Sequence, residues 1–213
     1  MKDDKVKLRV VKIELFGDTL VGKTAIINAL LGFEFSEDLL LSIGIDKLET
    51  NFILNNGNEI KLIIWDTPGA ERFRSVAFRN LRSVNGSVLM FDVTNYNSFE
   101  NLNFWLEEIS ELSENIPMVL FGNKVDLPKQ KWEVTDEQIK NFAKEKNLTY
   151  FEVSAKTRQG VHEGFSYIVN EAYKRFEKNN QYIINEKENQ NIKIEEKISE
   201  KDNCVGKKKK NNK

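Results

Sequence analysis

Cysteine and histidine are almost missing from this 213-residue chain, which has one of each, Cys204 and His162. A single cysteine excludes an internal disulfide and a cysteine-based zinc cluster, so a reducing compartment is expected. A single histidine excludes a multi-histidine metal centre and any Ser/His/Asp triad not built on His162, whose place at the start of the last expected helix suits a surface or capping role. Long apolar runs are missing as well. Nothing approaches the roughly 18 residues that span a bilayer, and Met1–Lys7 alternates charge without the apolar stretch of a signal peptide, which leads to the expectation of a soluble cytoplasmic protein. Excess charge is absent too: 32 Lys and Arg face 33 Asp and Glu, for a net charge of −1. Without a global basic field, no nucleic-acid partner is expected. From Asn179 onward, however, nine lysines meet six acidic residues, a surplus of three that leaves residues 1–178 at −4. Asn and Lys dominate that last stretch, and it has too few apolar residues to offset ordering entropy. The expected organisation is one folded domain over 1–178 and a flexible tail over 179–213.

What is present alternates between two periods. Leu8, Val10, Val11, Ile13, Leu15 and Phe16 form a β-rich run that stops at Gly17, and Thr24 to Leu31 continues with helical spacing. Leu48–Leu54 and Glu59–Trp65 flank Asn55-Asn56-Gly57-Asn58, where Asn-Gly suits the positive φ angles of a tight hairpin. Short buried-type strands follow at Ser87–Phe91, Met118–Phe121 and Thr149–Val153, each separated by a helical segment. Asn97 with Glu100, and Thr135 with Gln138, mark two helix starts, the second running to about Lys146. A last helix, about Val161 to Lys178, carries Phe165, Ile168, Val169, Ala172 and Phe176 as its stripe. This order predicts a mostly parallel α/β sheet with helices on both faces, and in such sheets ligands sit at the carboxyl ends of the strands.

The chemistry-bearing motifs fall at those ends. Gly17-Asp18-Thr19-Leu20-Val21-Gly22-Lys23-Thr24 matches G-x-x-x-x-G-K-[ST] between a strand and a helix. Its backbone N–H groups, from Thr19, Leu20, Val21, Gly22 and on to Ala25, can wrap a β-phosphate; Lys23 reaches β- and γ-oxygens, and the Thr24 hydroxyl suits Mg²⁺. Asp66-Thr67-Pro68-Gly69 ends the second hairpin strand, where Asp66 can hold Mg²⁺ through a water and the Gly69 N–H can meet a γ-phosphate. Asn123-Lys124-Val125-Asp126 follows the Met118–Phe121 strand. A carboxylate at Asp126 accepts both the ring N–H and the exocyclic amine of guanine, whereas adenine lacks that donor pair, and polar pockets of this kind discriminate by roughly 10⁴–10⁵. Ser154-Ala155-Lys156 adds a backbone N–H for the guanine oxygen. The expected nucleotide is therefore GTP.

In this order the motifs resemble the Ras superfamily of small GTPases. Trp65-Asp66-Thr67-Pro68-Gly69-Ala70-Glu71-Arg72-Phe73, Ser42-Ile43-Gly44-Ile45-Asp46 and Phe91-Asp92-Val93-Thr94 resemble its Rab branch, over about residues 6–178. The resemblance implies a three-layer G domain whose mostly parallel six-stranded sheet has one antiparallel edge strand. It implies a monomeric switch in vesicle trafficking that binds GTP or GDP with Mg²⁺, engages exchange factors, GTPase-activating proteins and effectors, and is reset by hydrolysis. On that pattern Phe35 packs against guanine and Ser42 closes on Mg²⁺ and γ-phosphate. Thr24, Ser42 and Asp66 form the metal set, and Lys23, Ser42, Gly69 and position 70 the hydrolytic centre.

Several positions depart from the pattern. Ala70 stands where the family has the Gln that orients the attacking water, and losing one such bond slows the step roughly 10- to 150-fold. Pro68 stiffens the same loop, Thr19 and Leu20 replace small residues, and Ser42 replaces a Thr. Of the aromatic triad read by Rab effectors, Trp65 is kept, but the other two positions hold Lys47 and Asn80. The terminal residues Lys210-Asn211-Asn212-Lys213 carry no prenylation box, while Lys207–Lys210 reads first as part of a solubilising tail and, as a second reading, offers about 1 kcal/mol per charge toward anionic lipid. Two functional classes stand side by side on these residues: a slow GTPase switch, and a constitutively GTP-bound or pseudo-GTPase interaction module favoured by Ala70 and Leu20. A phosphate-loop kinase would leave the guanine motif unexplained.

Overall fold

The computed structural model describes residues 9–36, 46–67, 78, 81–113 and 115–178. Ser42, Pro68, Gly69, Ala70, Asn80, Cys204 and Lys207–Lys210 lie outside these described residues. The chain through Tyr173 forms one unit, and of the rest only 174–178 is described, in helical conformation.

Six strands, β1 (Val10–Phe16), β2 (Asp46–Ile53), β3 (Glu59–Asp66), β4 (Gly86–Asp92), β5 (Met118–Asn123) and β6 (Thr149–Glu152), form one sheet in the order β2-β3-β1-β4-β5-β6. Every pairing is parallel except β2 with β3, which places one antiparallel strand at an edge. The five parallel strands therefore end at the same edge, and the loops that carry the motifs leave from it.

Helices α1 (Lys23–Leu30), α2 (Tyr96–Glu100), α3 (Leu102–Leu112), α4 (Asp136–Glu145) and the part of α5 (161–178) that runs to Tyr173 flank the sheet. Because side chains alternate along a strand, each strand supplies two cores. Ile13, Leu15, Val88, Met90, Val119 and Phe121 point to one, with Ile26 and Ile27 of α1 and Phe165, Ile168, Val169 and Ala172 of α5. Phe16, Leu89, Phe91 and Leu120 point to the other, with Trp105 and Ile109 of α3 and Ile139 and Phe142 of α4. Each core is closed by helices, which is why the central strands read as continuous apolar runs. The Thr135–Gln138 capping box forms as expected, with the Gln138 N–H donating to Thr135 Oγ1 at 3.2 Å and the Thr135 N–H donating to Gln138 Oε1 at 2.8 Å.

Two local expectations are corrected. The cap of α2 is Asn95, not Asn97: Asn95 has the extended backbone a cap needs (φ −140°), and its Oδ1 accepts the N–H groups of Asn97 and Ser98 at 3.1 and 3.4 Å. Asn97 lies inside the first turn, and Glu100 ends the helix instead of closing a capping box. In the hairpin, Gly57 alone takes a positive φ (+81°), Asn56 accepts the Asn58 N–H through its side chain at 3.0 Å, and the Leu54 N–H donates to the Asn58 carbonyl at 2.9 Å, which leaves the three residues Asn55 to Gly57 to make the turn.

One feature of β1 was not anticipated. Glu14 is fully buried on the sheet face that carries Phe16, in register with Trp65 on β3 and Ser87 on β4. Neither Glu14 oxygen has a hydrogen-bond partner among the described residues, nor do Trp65 Nε1 and Ser87 Oγ. Burial pushes the Glu14 carboxyl up from 4.5 to about 8. In the unfolded chain the group ionises at its ordinary value while the folded chain still holds the proton. Stability is therefore undiminished below pH 4.5 and falls as pH rises to about 8, by up to about 1.4 kcal/mol per pH unit. Glu14→Gln is expected to flatten that slope and to stabilise the protein at the alkaline end, measured by urea unfolding at several pH values across the window.

Candidate functional site

The site begins where β1 stops. At Gly17 a Cβ would lie 2.2 Å from the Met90 carbonyl oxygen, and at Gly22 it would lie 2.4 Å from Asn123 Nδ2, with φ +144° and +98°. Only glycine tolerates both conditions. Between them Leu20 also adopts a left-handed backbone (φ +67°) and exposes 71% of its surface, while Val21 is buried. Leu20 thus presents its side chain at the surface.

Gly22 caps α1 without any side-chain hydrogen bond, so the first N–H groups of that helix face the loop with no side-chain acceptor at the cap. Such an end suits an anion. Lys23 is buried, and its ammonium donates to the main-chain oxygens of Gly17 and Asp18, both at 2.8 Å. Burial lowers its pKa to about 8, opposed by the nearby Asp66 and Asp18 carboxylates. The Thr24 hydroxyl donates to Asp66 Oδ2 at 2.6 Å, which places a hydroxyl and a carboxylate together beside the ammonium. Thr67 anchors that strand end by donating its hydroxyl to the Leu15 carbonyl. Two hard oxygen donors beside a buried ammonium and a helix N-terminus without a side-chain cap suit Mg²⁺ with a polyphosphate, so the residues present fit both groups.

The base-side motifs meet the same loop. The Asn123 side chain is buried, donates from Nδ2 to Val21 O at 2.8 Å and accepts the Ala155 N–H at 3.2 Å. Asp126 is exposed and accepts from the buried Ser154 hydroxyl at 2.6 Å, which orients its carboxylate. Lys124, at φ +71°, pairs with Asp92 at 2.5 Å, and Asp92 accepts Thr94 N–H and Oγ1 as well. Lys156 Nζ lies 6.0 Å from the centre of the Phe35 ring, which is 41% exposed, and Arg158 donates to Gly32 O and Phe33 O at 2.9 and 3.1 Å. The segments after α1 and after β6 are thereby joined beside Phe35. Of the residues expected from sequence, Thr19 to Ala25, Phe35, Asp66, Asn123, Lys124, Asp126 and Ser154 to Lys156 flank this one edge. Ser42, Gly69 and Ala70 fall outside the described residues.

Sequence reasoning missed Asp92 and Arg158, and it missed Asn101 and Trp105, which donate to Asp18. Asn101 and Trp105 stand four apart at the start of α3, a spacing that puts two donors on one face and was readable as such. On the outer strands Lys47, opposite Trp65, pairs with Glu49, which also pairs with Lys61, so a charged row replaces an aromatic position.

A model of the Ras family matches residues 12–174. This chain belongs to the Ras family. It is 38% identical over 167 residues to Ras-related protein Rab-5B of Plasmodium falciparum, an overlap of 78% of this chain and 79% of that protein. It is 36% identical over 177 residues to human Ras-related protein Rab-7b, covering 81% and 86%, and 36% identical over 164 residues to Ras-related protein Rab-18 of Caenorhabditis elegans, covering 76% and 79%. These relatives make it a divergent Rab-like small GTPase of a family that binds GTP and GDP with Mg²⁺ and works as switches with exchange factors, activating proteins and effectors. Among the described residues no helix is long and apolar enough to cross a membrane.

Gly22→Ala would force a Cβ against Asn123 Nδ2 and strain the loop. The expected outcome is guanine-nucleotide affinity weakened by about 10- to 100-fold, read by equilibrium titration.

Proposed function

We propose that this chain is a Rab-like switch of vesicle trafficking that binds GTP and GDP with Mg²⁺ and converts GTP and water to GDP and phosphate slowly. The observation that supports it best is the double role of Asn123, which joins the glycine-bounded loop at Val21 to the base-side backbone at Ala155. One ligand with phosphates at one end and a purine at the other spans those two places.

In this reading Lys23 neutralises phosphate charge, while the backbone of Thr19, Leu20, Val21, Gly22 and Ala25 surrounds the phosphates. Thr24, Ser42 and Asp66 hold Mg²⁺, which supplies charge stabilisation to the β- and γ-oxygens. Gly69 donates its N–H to the γ-phosphate. Asn123, Lys124 and Asp126 select guanine, with Ser154 orienting Asp126 and Ala155 and Lys156 closing over the base beside Phe35. Ala70 has no group to orient water, which makes intrinsic turnover slow. A partner that brings such a group in trans restores it. The Rab-named relatives support a trafficking role. We assign residues 1–178 to the G domain of a monomer and 179–213 to a tail whose Lys207–Lys210 run allows peripheral contact with endomembranes from the cytoplasm.

Ala70 also favours a second reading, an interaction module that stays loaded with GTP. Single-turnover hydrolysis by the purified protein and its Ala70→Gln variant separates the two. The switch reading expects measurable turnover that rises roughly 10- to 150-fold with Gln. Turnover absent from both proteins supports the module, and a wild type already as fast as an ordinary small GTPase, with no gain from Gln, overturns the role given to Ala70.

Guanine selection has its own test. Asp126→Asn is expected to shift preference from guanine toward xanthine nucleotides in competition binding, and unchanged GTP affinity would remove Asp126 from the base site.

A further inference from the structure

The phosphate loop is held from two sides, and only one of them belongs to the nucleotide motifs. On the base side Asn123 fixes Val21 O. On the other side Asp18, the second residue of the loop, is gripped by α3: Asn101 Nδ2 donates to Asp18 Oδ2 at 2.7 Å and Trp105 Nε1 donates to Asp18 Oδ1 at 2.9 Å. Each carboxylate oxygen thus receives its own N–H from one helical turn. The main-chain oxygen of the same Asp18 accepts the Lys23 ammonium at 2.8 Å, so the residue that α3 grips also helps to aim the phosphate-facing lysine.

Between these grips lies one positive-φ position, Leu20 at +67°, and a second, Gly22 at +98°, follows directly after Val21. A leucine stays in that conformation only where the surroundings over-determine it. Trp105 is fully buried and rigidly seated, with its ring 6.1 Å from Phe16 and 5.8 Å from Phe78, which stack on each other at 5.5 Å. Its indole therefore touches the loop through a hydrogen bond and the chain beyond β3 through an aromatic contact.

We propose that Asn101 and Trp105 are positioning residues for phosphate recognition, acting through the Asp18 carboxylate to hold the loop in the conformation that binds the β-phosphate. The proposal rests on the reading that this loop takes the phosphates of a guanine nucleotide. Both donors are spent on the Asp18 carboxylate. Their loss is felt by a ligand that uses the loop and not by one that lacks the β-phosphate.

The test compares GDP with GMP on the full chain, by competition against a fluorescent guanine nucleotide in excess Mg²⁺. Asn101→Ala and Trp105→Phe are each expected to lower the ratio of GDP to GMP affinity about tenfold, the scale of one charge-assisted bond. Asn101→Asp, which keeps the shape but sets a second carboxylate against Asp18, is expected to lower it further. Because Trp105→Phe opens a gap in the core, the half-buried Asn101 variants decide the matter if that protein does not fold. An unchanged ratio in the Asn101 variants, or GDP and GMP affinities that fall together, overturns the positioning role alone. Failure of the wild type to bind any guanine nucleotide overturns the underlying reading and this proposal with it.

Discussion

The carboxamide of Asn123 is the contact on which the candidate site depends. It stands at the end of β5, buried, with its nitrogen committed to Val21 and its oxygen to Ala155. Those two residues are 134 positions apart in sequence, and parallel strands are what bring them together. A parallel sheet sends every βα loop to one edge, but it does not fix the distance between loops. Asn123 does, because a short amide with both ends paired in a dry place tolerates little change in either partner. The same side chain excludes any Cβ at Gly22. The glycine that gives the loop its curvature and the asparagine of the base-side motif are thus one constraint, written at two places in the chain.

A second constraint is electrostatic. Lys23 carries its ammonium into a buried place and satisfies it there on two loop carbonyls, with Asp18 and Asp66 near enough to oppose the cost of burial. Carbonyl acceptors are weaker partners than phosphate oxygens, so the arrangement holds the cation in position without committing it to a buried carboxylate. Thr24 and Asp66 are likewise bonded to each other, which keeps two hard oxygens adjacent. The grip of α3 on Asp18 belongs to the same scheme, since it removes that carboxylate from competition for the ammonium while its carbonyl still accepts from it.

The sequence made the succession of strands and helices and the motif loops legible because both rest on short-range patterns. Apolar runs mark strands buried on both faces, and G-x-x-x-x-G-K-[ST] between a strand and a helix leaves one local reading. The capping box at Thr135 was legible for the same reason, its two partners being three residues apart. The cap of α2 was misread because Asn95 and Asn97 offer the same side chain, and only the extended backbone of Asn95 distinguishes them. Glu14 gave no signal: within β1 it looked like one polar position in an alternating strand, and its burial depends on what covers the sheet. Asp18, Asn101 and Trp105 were hidden differently. Asp18 filled a wildcard position of the motif, and Trp105 lies on the apolar face of α3, although its N–H serves a residue 87 positions away.

The positions where this chain departs from the Rab pattern are not spread evenly. In the proposed site Lys23, Thr24, Asp66, Asn123 and Asp126 keep the chemistry of the pattern while Thr19, Leu20 and Ser42 vary around them, whereas Ala70, Lys47 and Asn80 change it outright. A nucleotide pocket is a set of mutually dependent contacts, so one loss, such as the Asn123 amide, undoes several bonds at once. A water-orienting group acts on a single step, and an effector face acts only through a partner. Either can change without unfolding the pocket. At Lys47 the change is visible: the row Lys47–Glu49–Lys61 satisfies its charges within the sheet and leaves Trp65 flanked by a cation instead of a ring. An aromatic patch excludes water over its whole area, while a paired ammonium keeps its hydration and favours a partner with polar or acidic groups. Thr19 and Leu20 enter the proposed site through backbone N–H groups, which any residue supplies, and Ser42 keeps a hydroxyl, so the substitutions inside that site spare the contacts on which the proposed binding depends.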